Sequence, residues 1–157
     1  MKLDAIDGKI LELLQDDGRM TNAALAMAAG ISAPAMLERI RRLEKERVIL
    51  RYAALVDPAR LDCGTLAFVK VSLSMHRLKN LERFTSRIQK LEQVMECHLI
   101  TGEGDFLLKV AVKDMKAYED FVFHTLSRLP GVDKVDTAFV IRTVKQKTRI
   151  PYHRKEG

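Results

Sequence analysis

Near residue 50 the hydrophobic repeat of this 157-residue chain changes period. Before that point apolar residues recur every three or four positions. After it, runs with a period of two alternate with further helical runs. A helix places every third or fourth side chain on one face and a strand every second. The chain is therefore expected to be α+β, with a helical segment first and a mixed strand and helix segment after it.

The helical segment carries its own punctuation. Ile6, Ile10, Leu13 and Leu14 form one stripe behind Asp4, a candidate N-cap. "QDDGR" ends that helix, with Gly18 able to take a left-handed closing position. Thr21 then caps residues 22–29, and Gly30 closes them. Ser32 caps a third helix over residues 33–47, with Pro34 in its first turn, where a missing N–H costs nothing. Met36, Ile40 and Leu43 make its buried stripe, with Leu37 beside it.

Beyond residue 50, residues 51–57 predict a strand stopped by Pro58. Residues 65–75 alternate, with Ala67, Val69, Val71 and Leu73 on one face. Residues 80–91 predict a helix on Leu81, Phe84, Ile88 and Leu91. Two strands follow, one with Met95, Cys97, Leu99 and Thr101 on a face, the next with Phe106, Leu108, Val110 and Val112. Residues 114–129 predict one helix whose stripe includes Met115, Tyr118, Phe121, Val122, Thr125, Leu126 and Leu129. A "PGV" turn leads into a last strand over 134–144. The order β-α-β-β-α-β is that of a ferredoxin-like sandwich. The expected division is 1–50 helical, 51–62 linking strand and hinge, 63–141 sandwich and 142–157 basic tail. On the sheet face turned away from the helices, Leu66, Phe68, Leu107, Ala138 and Val140 are apolar. Such a patch asks for cover, which a second copy would provide.

The net charge of +6 is concentrated in the tail, where residues 141–157 hold six bases and one acid. Within the first third the charge is sorted: residues 4–17 hold five acids and one lysine, and residues 39–51 six bases and two acids. No apolar run approaches the ~18 residues of a membrane span, and the N-terminus does not read as a signal peptide. Cys63 and Cys97 read as small buried hydrophobes rather than a disulfide framework, which fits a cytoplasmic setting. His76, His124 and His153 show no metal-ligand spacing, so no metal or cofactor is expected.

Two short helices joined by a Gly-containing turn, the second basic outside, fit a helix-turn-helix for double-stranded DNA. Arg39 and Arg42, three apart, are expected to project together from the second helix, alongside Ala33, Ala35 and Glu38. With Thr21, Asn22 and Ser32 these are the candidate DNA contacts. The same pattern also fits a structural three-helix bundle with a solvated charged face, Glu38 pairing with Arg41 or Arg42.

"TGEGDF", residues 101–106, sits between two strand patterns. It precedes a strand and not a helix, so it lacks the helix N-terminus on which phosphate loops rely. It fits a hairpin turn whose glycines supply positive φ, and equally a loop holding a small ligand. An enzyme is a rival class, since His98 follows Cys97. Adjacent strand residues point to opposite faces, however, so the two cannot pair as base and nucleophile within one strand. A stand-alone small-ligand-sensing module, or a regulator of an enzyme that does not bind DNA, would leave residues 19–47 without purpose.

The chain resembles the leucine-responsive/asparagine-synthetase (Lrp/AsnC, or feast/famine) regulators over about residues 3–150. The resemblance is carried by "LDAID" at 3–7, "DGR" at 17–19, "LERIRRLE" at 37–44 and "YAALVDP" at 52–58. It continues in "ECHLITGEGDFLLKV" at 96–110, "DMKAYEDF" at 114–121 and "LPGV" at 129–132. It implies a transcriptional regulator with a DNA-binding helix-turn-helix, followed by a domain that dimerises and senses an amino acid. In such proteins dimers commonly stack to octamers. The family's Gly-x-x-Asp-aromatic hairpin falls on Gly102, Asp105 and Phe106, which makes Leu99, Thr101, Gly102, Glu103, Gly104 and Asp105 the expected effector site. There, where two dimers would meet, Asp105 would accept from an ammonium, Glu103 would be solvated, and Leu99 with Ala138 and Val140 would bound the side-chain pocket, the neighbouring dimer supplying further walls. Two departures stand out. Ser32-Ala33-Pro34-Ala35-Met36 replaces the frequent Ser-Pro-x-Pro-Cys, and Arg47 and Arg51 replace glycines common after the recognition helix.

Overall fold

The computed structural model describes residues 2–74 and 78–152, with backbone alone for 78–80. The expectations on His76, on His153 and on the end of the tail lie outside these residues. Two compact units result, Met1–Leu55 with Lys145–Gly157, and Val56–Val144. Residues 51–55 and the C-terminal segment thus group with the helices, and the residues just before the first strand group with the sheet. The reason is contact: the segment after residue 145 bonds to the first helix, as described below.

In the helical unit, α1 spans Ala5–Asp16, α2 Asn22–Ala29 and α3 Ala33–Lys45. Asp4 caps α1 in a reciprocal capping box with Asp7. Thr21 and Ser32 cap α2 and α3 by accepting from the Ala24 and Ala35 N–H groups, at 3.2 and 3.4 Å. Gly30 closes α2 with φ +70°. Gly18 does not take the left-handed position expected of it; α1 ends on an extended Asp17 that donates to the Leu13 carbonyl. The helix α3 stops at Lys45, and Arg47 turns the chain at φ +56°. Val48 and Ile49 N–H groups then close on the Leu43 carbonyl at 2.9 and 3.1 Å. A residue with a Cβ pays about 1–2 kcal/mol for that conformation. Leu25, Met36, Ile40 and Leu43 bury against Ile10 to form this unit's core.

The second unit holds β1 (Thr65–Leu73), α4 (Leu78–Ile88), β2 (Val94–Leu99), β3 (Phe106–Val112), α5 (Met115–His124) and β4 (Val132–Phe139). The sheet order β2-β3-β1-β4, antiparallel throughout, is the expected ferredoxin-like sandwich. Its core lies between one sheet face and α4 and α5, where Val69, Val71, Phe84, Leu108, Val110 and Leu126 are fully buried. Phe84 and Phe106 stack at 4.5 Å between centroids.

Four expectations need correction. Residues 51–57 pair with no strand; a strand needs a ladder partner, and this chain offers none among the described residues. A bulge between Val94 and Glu96 turns Val94, and not Met95, toward the core. The helix expected to reach Leu129 ends at His124, and a 3-10 turn over Leu126–Arg128 follows. The last strand starts two residues early and ends at Phe139 instead of running to residue 144.

Candidate nucleic-acid interface and effector loop

The axes of α2 and α3 differ by 104° across a break of a few residues, within the range of a helix-turn-helix. Met36, Ile40 and Leu43 lock α3 inward, which leaves Ala33, Pro34, Ala35, Glu38 and Arg41 exposed. Thr21, Asn22 and Ser32 are exposed as well. The hydroxyls of Thr21 and Ser32 are engaged as caps.

Arg39 and Arg42 do not project freely, as the spacing suggested. Both guanidinium groups turn back onto α1. Arg39 Nη1 donates to Asp4 Oδ2 at 2.7 Å and to Asp7 Oδ1 at 2.8 Å. Arg42 Nη2 donates to both Asp7 oxygens at 2.8 Å. Asp7 is only 1% exposed and is the one buried charged residue among those described. A buried carboxylate needs counter-charge and hydrogen bonds on every side, and this one also accepts the Asp4 N–H. The capping N–H of Asp7, followed by the Arg39 guanidinium, lowers the pKa of Asp4 below its ordinary value. The sorted charge of the first third is thus in part an internal clamp between α1 and α3. Glu38 pairs with Arg41 at 3.7 Å, and both are well exposed. Arg41, which sequence reasoning treated only as a partner for Glu38, is 65% exposed and, among the described residues, makes no bond to α1, whereas Arg42, also exposed at 45%, is tied to Asp7. The signal that could have separated it from Arg39 and Arg42 was Asp7, whose partners had to lie on the inward edge of α3.

At the end of the helical unit, Tyr52 folds back on α3 and donates to Glu44 at 3.0 Å. Burial first, then the Glu44 carboxylate, push its hydroxyl up to about 12. The phenol therefore stays a donor at any physiological pH.

The hairpin between β2 and β3 uses its glycines as expected: Gly102 has φ +101° and Gly104 φ +87°. Thr101, Gly102 and Glu103 are exposed, and Gly104 lies close enough to β1 that a Cβ there would sit 3.7 Å from the Val71 carbonyl. Asp105 fastens the loop. Its N–H donates to the Val71 carbonyl at 2.9 Å, its carbonyl accepts from Ile100 at 2.9 Å, and its Oδ2 accepts the Leu73 N–H at 2.7 Å. The carboxylate expected to face a ligand is thus also a brace across β1. Glu103 is 96% exposed and lies 3.8 Å from Lys70 Nζ.

Leu99 pairs with Phe106 on the helix side of the sheet, whereas Ala138 pairs with Phe68 on the open side. The two edge strands β2 and β4 carry them, so one chain cannot bring Leu99 together with Ala138 and Val140. Leu99 instead lines a cleft of about 430 Å³ with Leu81, Ile88, Met95, Cys97 and Phe106 at the edge of β2. Burial pushes the Cys97 thiol pKa up, away from a nucleophilic thiolate. His98 lies on the other face, 3.3 Å from Glu96.

Comparison with known proteins agrees on both units. Residues 3–44 match the AsnC-type helix-turn-helix domain, and residues 66–150 the Lrp/AsnC ligand binding domain. The leucine-responsive regulatory proteins of Klebsiella pneumoniae and of Escherichia coli K12 are each 45% identical over 148 residues, 94% of this chain and 90% of theirs. A transcriptional regulator of Neisseria meningitidis, solved in complex with L-methionine, superimposes with a TM-score of 0.91 at 35% identity, over 96% of this chain and 97% of that one. An AsnC family regulator of Agrobacterium tumefaciens gives 0.89 at 32%, over 95% and 97%. A helix-turn-helix unit and a ligand-binding sandwich in this order, matched along nearly the whole chain, make this protein a member of the Lrp/AsnC family of DNA-binding transcriptional regulators.

Proposed function

We propose that the protein reads DNA with α3 and that an α-amino acid with an apolar side chain, bound at the 101–105 hairpin, modulates that binding. The observation that carries this is an exposed loop, Thr101–Gly102–Glu103, braced by Asp105 between two strands whose Leu99 and Phe106 line a cleft of mixed apolar and polar walls. Backbone N–H groups around Gly102 and Gly104 suit a carboxylate, because glycine lets a ligand approach the backbone. Asp105, besides its brace to Leu73, is the acceptor for the ammonium, Glu103 stays solvated, and the cleft suits an aliphatic or thioether side chain. The Neisseria relative's complex with L-methionine supports this class of ligand.

On the DNA side, α3 offers Ala33 and Ala35 at its first turn, which suits contact with thymine methyl groups, and Arg41 for phosphate. Thr21, Asn22, Ser32 and Glu38 border the same surface. Arg39 and Arg42 act through Asp7 as positioning residues. A regulator and not an enzyme is the reading that fits, since Cys97 and His98 face opposite sides of β2.

Self-association completes the proposal. The open sheet face presents Leu66, Phe68, Leu107, Ala138 and Val140, with Phe68 42% exposed. The unpaired segment 51–57 exposes Leu55 and Val56 at 72% and 62%. A second copy would cover both, giving a dimer that places two α3 helices about one DNA turn apart. Stacking of dimers to an octamer is the family's common arrangement and the one we assign.

Isothermal titration of the full-length protein with the twenty amino acids tests the effector reading. L-methionine and L-leucine are expected to bind in the micromolar range, and aspartate and lysine not to bind. Failure of every amino acid below millimolar concentration would refute the site.

A further inference from the structure

The C-terminal segment, residues 141–157, holds six bases and one acid. Its described part is not free. Arg149 reaches α1, where Nη1 donates to Asp16 at 2.7 Å and Nη2 lies 3.5 Å from Glu12. Gln15 grips the Ile150 backbone on both sides: Ile150 N–H donates to Gln15 Oε1 at 2.7 Å, and Gln15 Nε2 donates to the Ile150 carbonyl at 3.2 Å. Tyr152 donates to the Leu3 carbonyl at 3.3 Å. Its ring lies flat enough on Gly8 that a Cβ there would stand 2.5 Å from two ring carbons.

These contacts fall on one line of α1. Gly8, Glu12, Gln15 and Asp16 follow the i, i+4, i+7, i+8 spacing of a single helix face. A two-sided backbone clamp by one glutamine is strand-like recognition of a specific segment, and charge attraction alone would not produce it. The glycine at position 8 is also paradoxical by propensity, since a helix interior favours alanine by about 1 kcal/mol. The Tyr152 ring accounts for it. Leu3 and Gly8, which Tyr152 touches, flank Asp4 and Asp7. Those are the carboxylates that hold Arg39 and Arg42 of α3.

We propose that residues 149–152 form a strap, an intramolecular ligand of the helix-turn-helix unit, and that Arg149 and Tyr152 are positioning residues for DNA binding. The strap braces α1 along its length, from Leu3 to Asp16, and through Asp4 and Asp7 it fixes the angle at which α3 is presented. It leaves the sandwich through residues 140–144, directly after β4, so the effector-sensing unit is joined to the DNA-binding unit by a second covalent path besides the linker.

The test uses full-length protein, a duplex selected by the wild type, fluorescence anisotropy for affinity and circular dichroism for melting. Arg149→Glu is expected to weaken binding about tenfold, within the usual span of coupling between sites. Asp16→Arg alone should weaken it too, although it adds positive charge. The double variant Arg149→Glu/Asp16→Arg should return to within about twofold of wild type, because the pair is restored with its polarity reversed. Gly8→Ala tests the strap without touching charge, and should lower both affinity and melting temperature by displacing Tyr152. Three results would overturn the proposal: wild-type affinity in Arg149→Glu, tighter binding by Asp16→Arg with no rescue in the double variant, or a Gly8→Ala protein that melts higher and binds as well as wild type. The second of these would mark Arg149 as a direct phosphate contact.

Discussion

Asp7→Asn should cost about 3 kcal/mol of stability in the helical unit and abolish specific DNA binding. Asp7 is 1% exposed and accepts three arginine hydrogen bonds of 2.8 Å, from Arg39 and from Arg42. Removing one partner of a buried pair typically costs about 3–5 kcal/mol, chiefly by stranding the remaining charges. The lower figure applies because Arg42 is 45% exposed and can turn to water. Freed arginines would add positive potential near DNA, so non-specific affinity should persist while the selected operator loses its advantage. That split separates this account from one in which Arg39 and Arg42 read bases directly. Thermal melting gives the stability, and competition between operator and scrambled duplex gives the specificity. An Asp7→Asn protein that melts and discriminates like wild type would refute the clamp. Asp4 adds a pH signature. Its pKa is lowered in the folded state, so its contribution is present above the ordinary carboxylate pKa and is lost as pH falls through the lowered value.

The second large effect is at the hairpin. Asp105→Ala should eliminate the amino-acid response while effector-free DNA affinity stays within about twofold, since the sites are coupled only through the ligand. The side chain accepts the Leu73 N–H at 2.7 Å, and its loss leaves that donor without its acceptor in a half-buried position. The cost is about 1–3 kcal/mol, and the position of Gly104 beside β1 goes with it. Asp105→Asn keeps one carbonyl oxygen for Leu73 and should retain the loop with weaker ligand binding. Calorimetry resolves the three proteins. Equal amino-acid affinity in wild type and Asp105→Ala would remove the hairpin from the effector site.

Most of this architecture was legible in the residues themselves. Period, caps and turn glycines located three helices and the β-α-β-β-α-β order, because each is a local signal. What failed was set by partners distant in sequence. Residues 51–57 have the composition of a strand, but composition does not supply a neighbour to pair with. The bulge at Met95 is dictated by β3, and it reverses the reading of that side chain. The most instructive case is the charge sorting between residues 4–17 and 39–51. One pattern covers two things, an exposed surface proposed to face DNA and an internal clamp, and only contact separates Arg41 from Arg39 and Arg42. The basic tail shows the same division, because its Arg149 pairs inside the molecule with Glu12 and Asp16. At the hairpin, the glycines announced their backbone conformation, whereas the brace from Asp105 to β1 depends on how the sheet closes.

The central claim is that one chain couples operator recognition by α3 to an amino acid at the 101–105 hairpin. The most direct measurement is anisotropy titration of the full-length protein onto a selected operator and a scrambled duplex, at physiological salt, with and without saturating L-methionine or L-leucine. The account predicts an operator preference of about a thousandfold or more, and a shift of at least about fivefold in operator affinity on adding the effector. Equal affinity for both duplexes, unmoved by any amino acid, would contradict it.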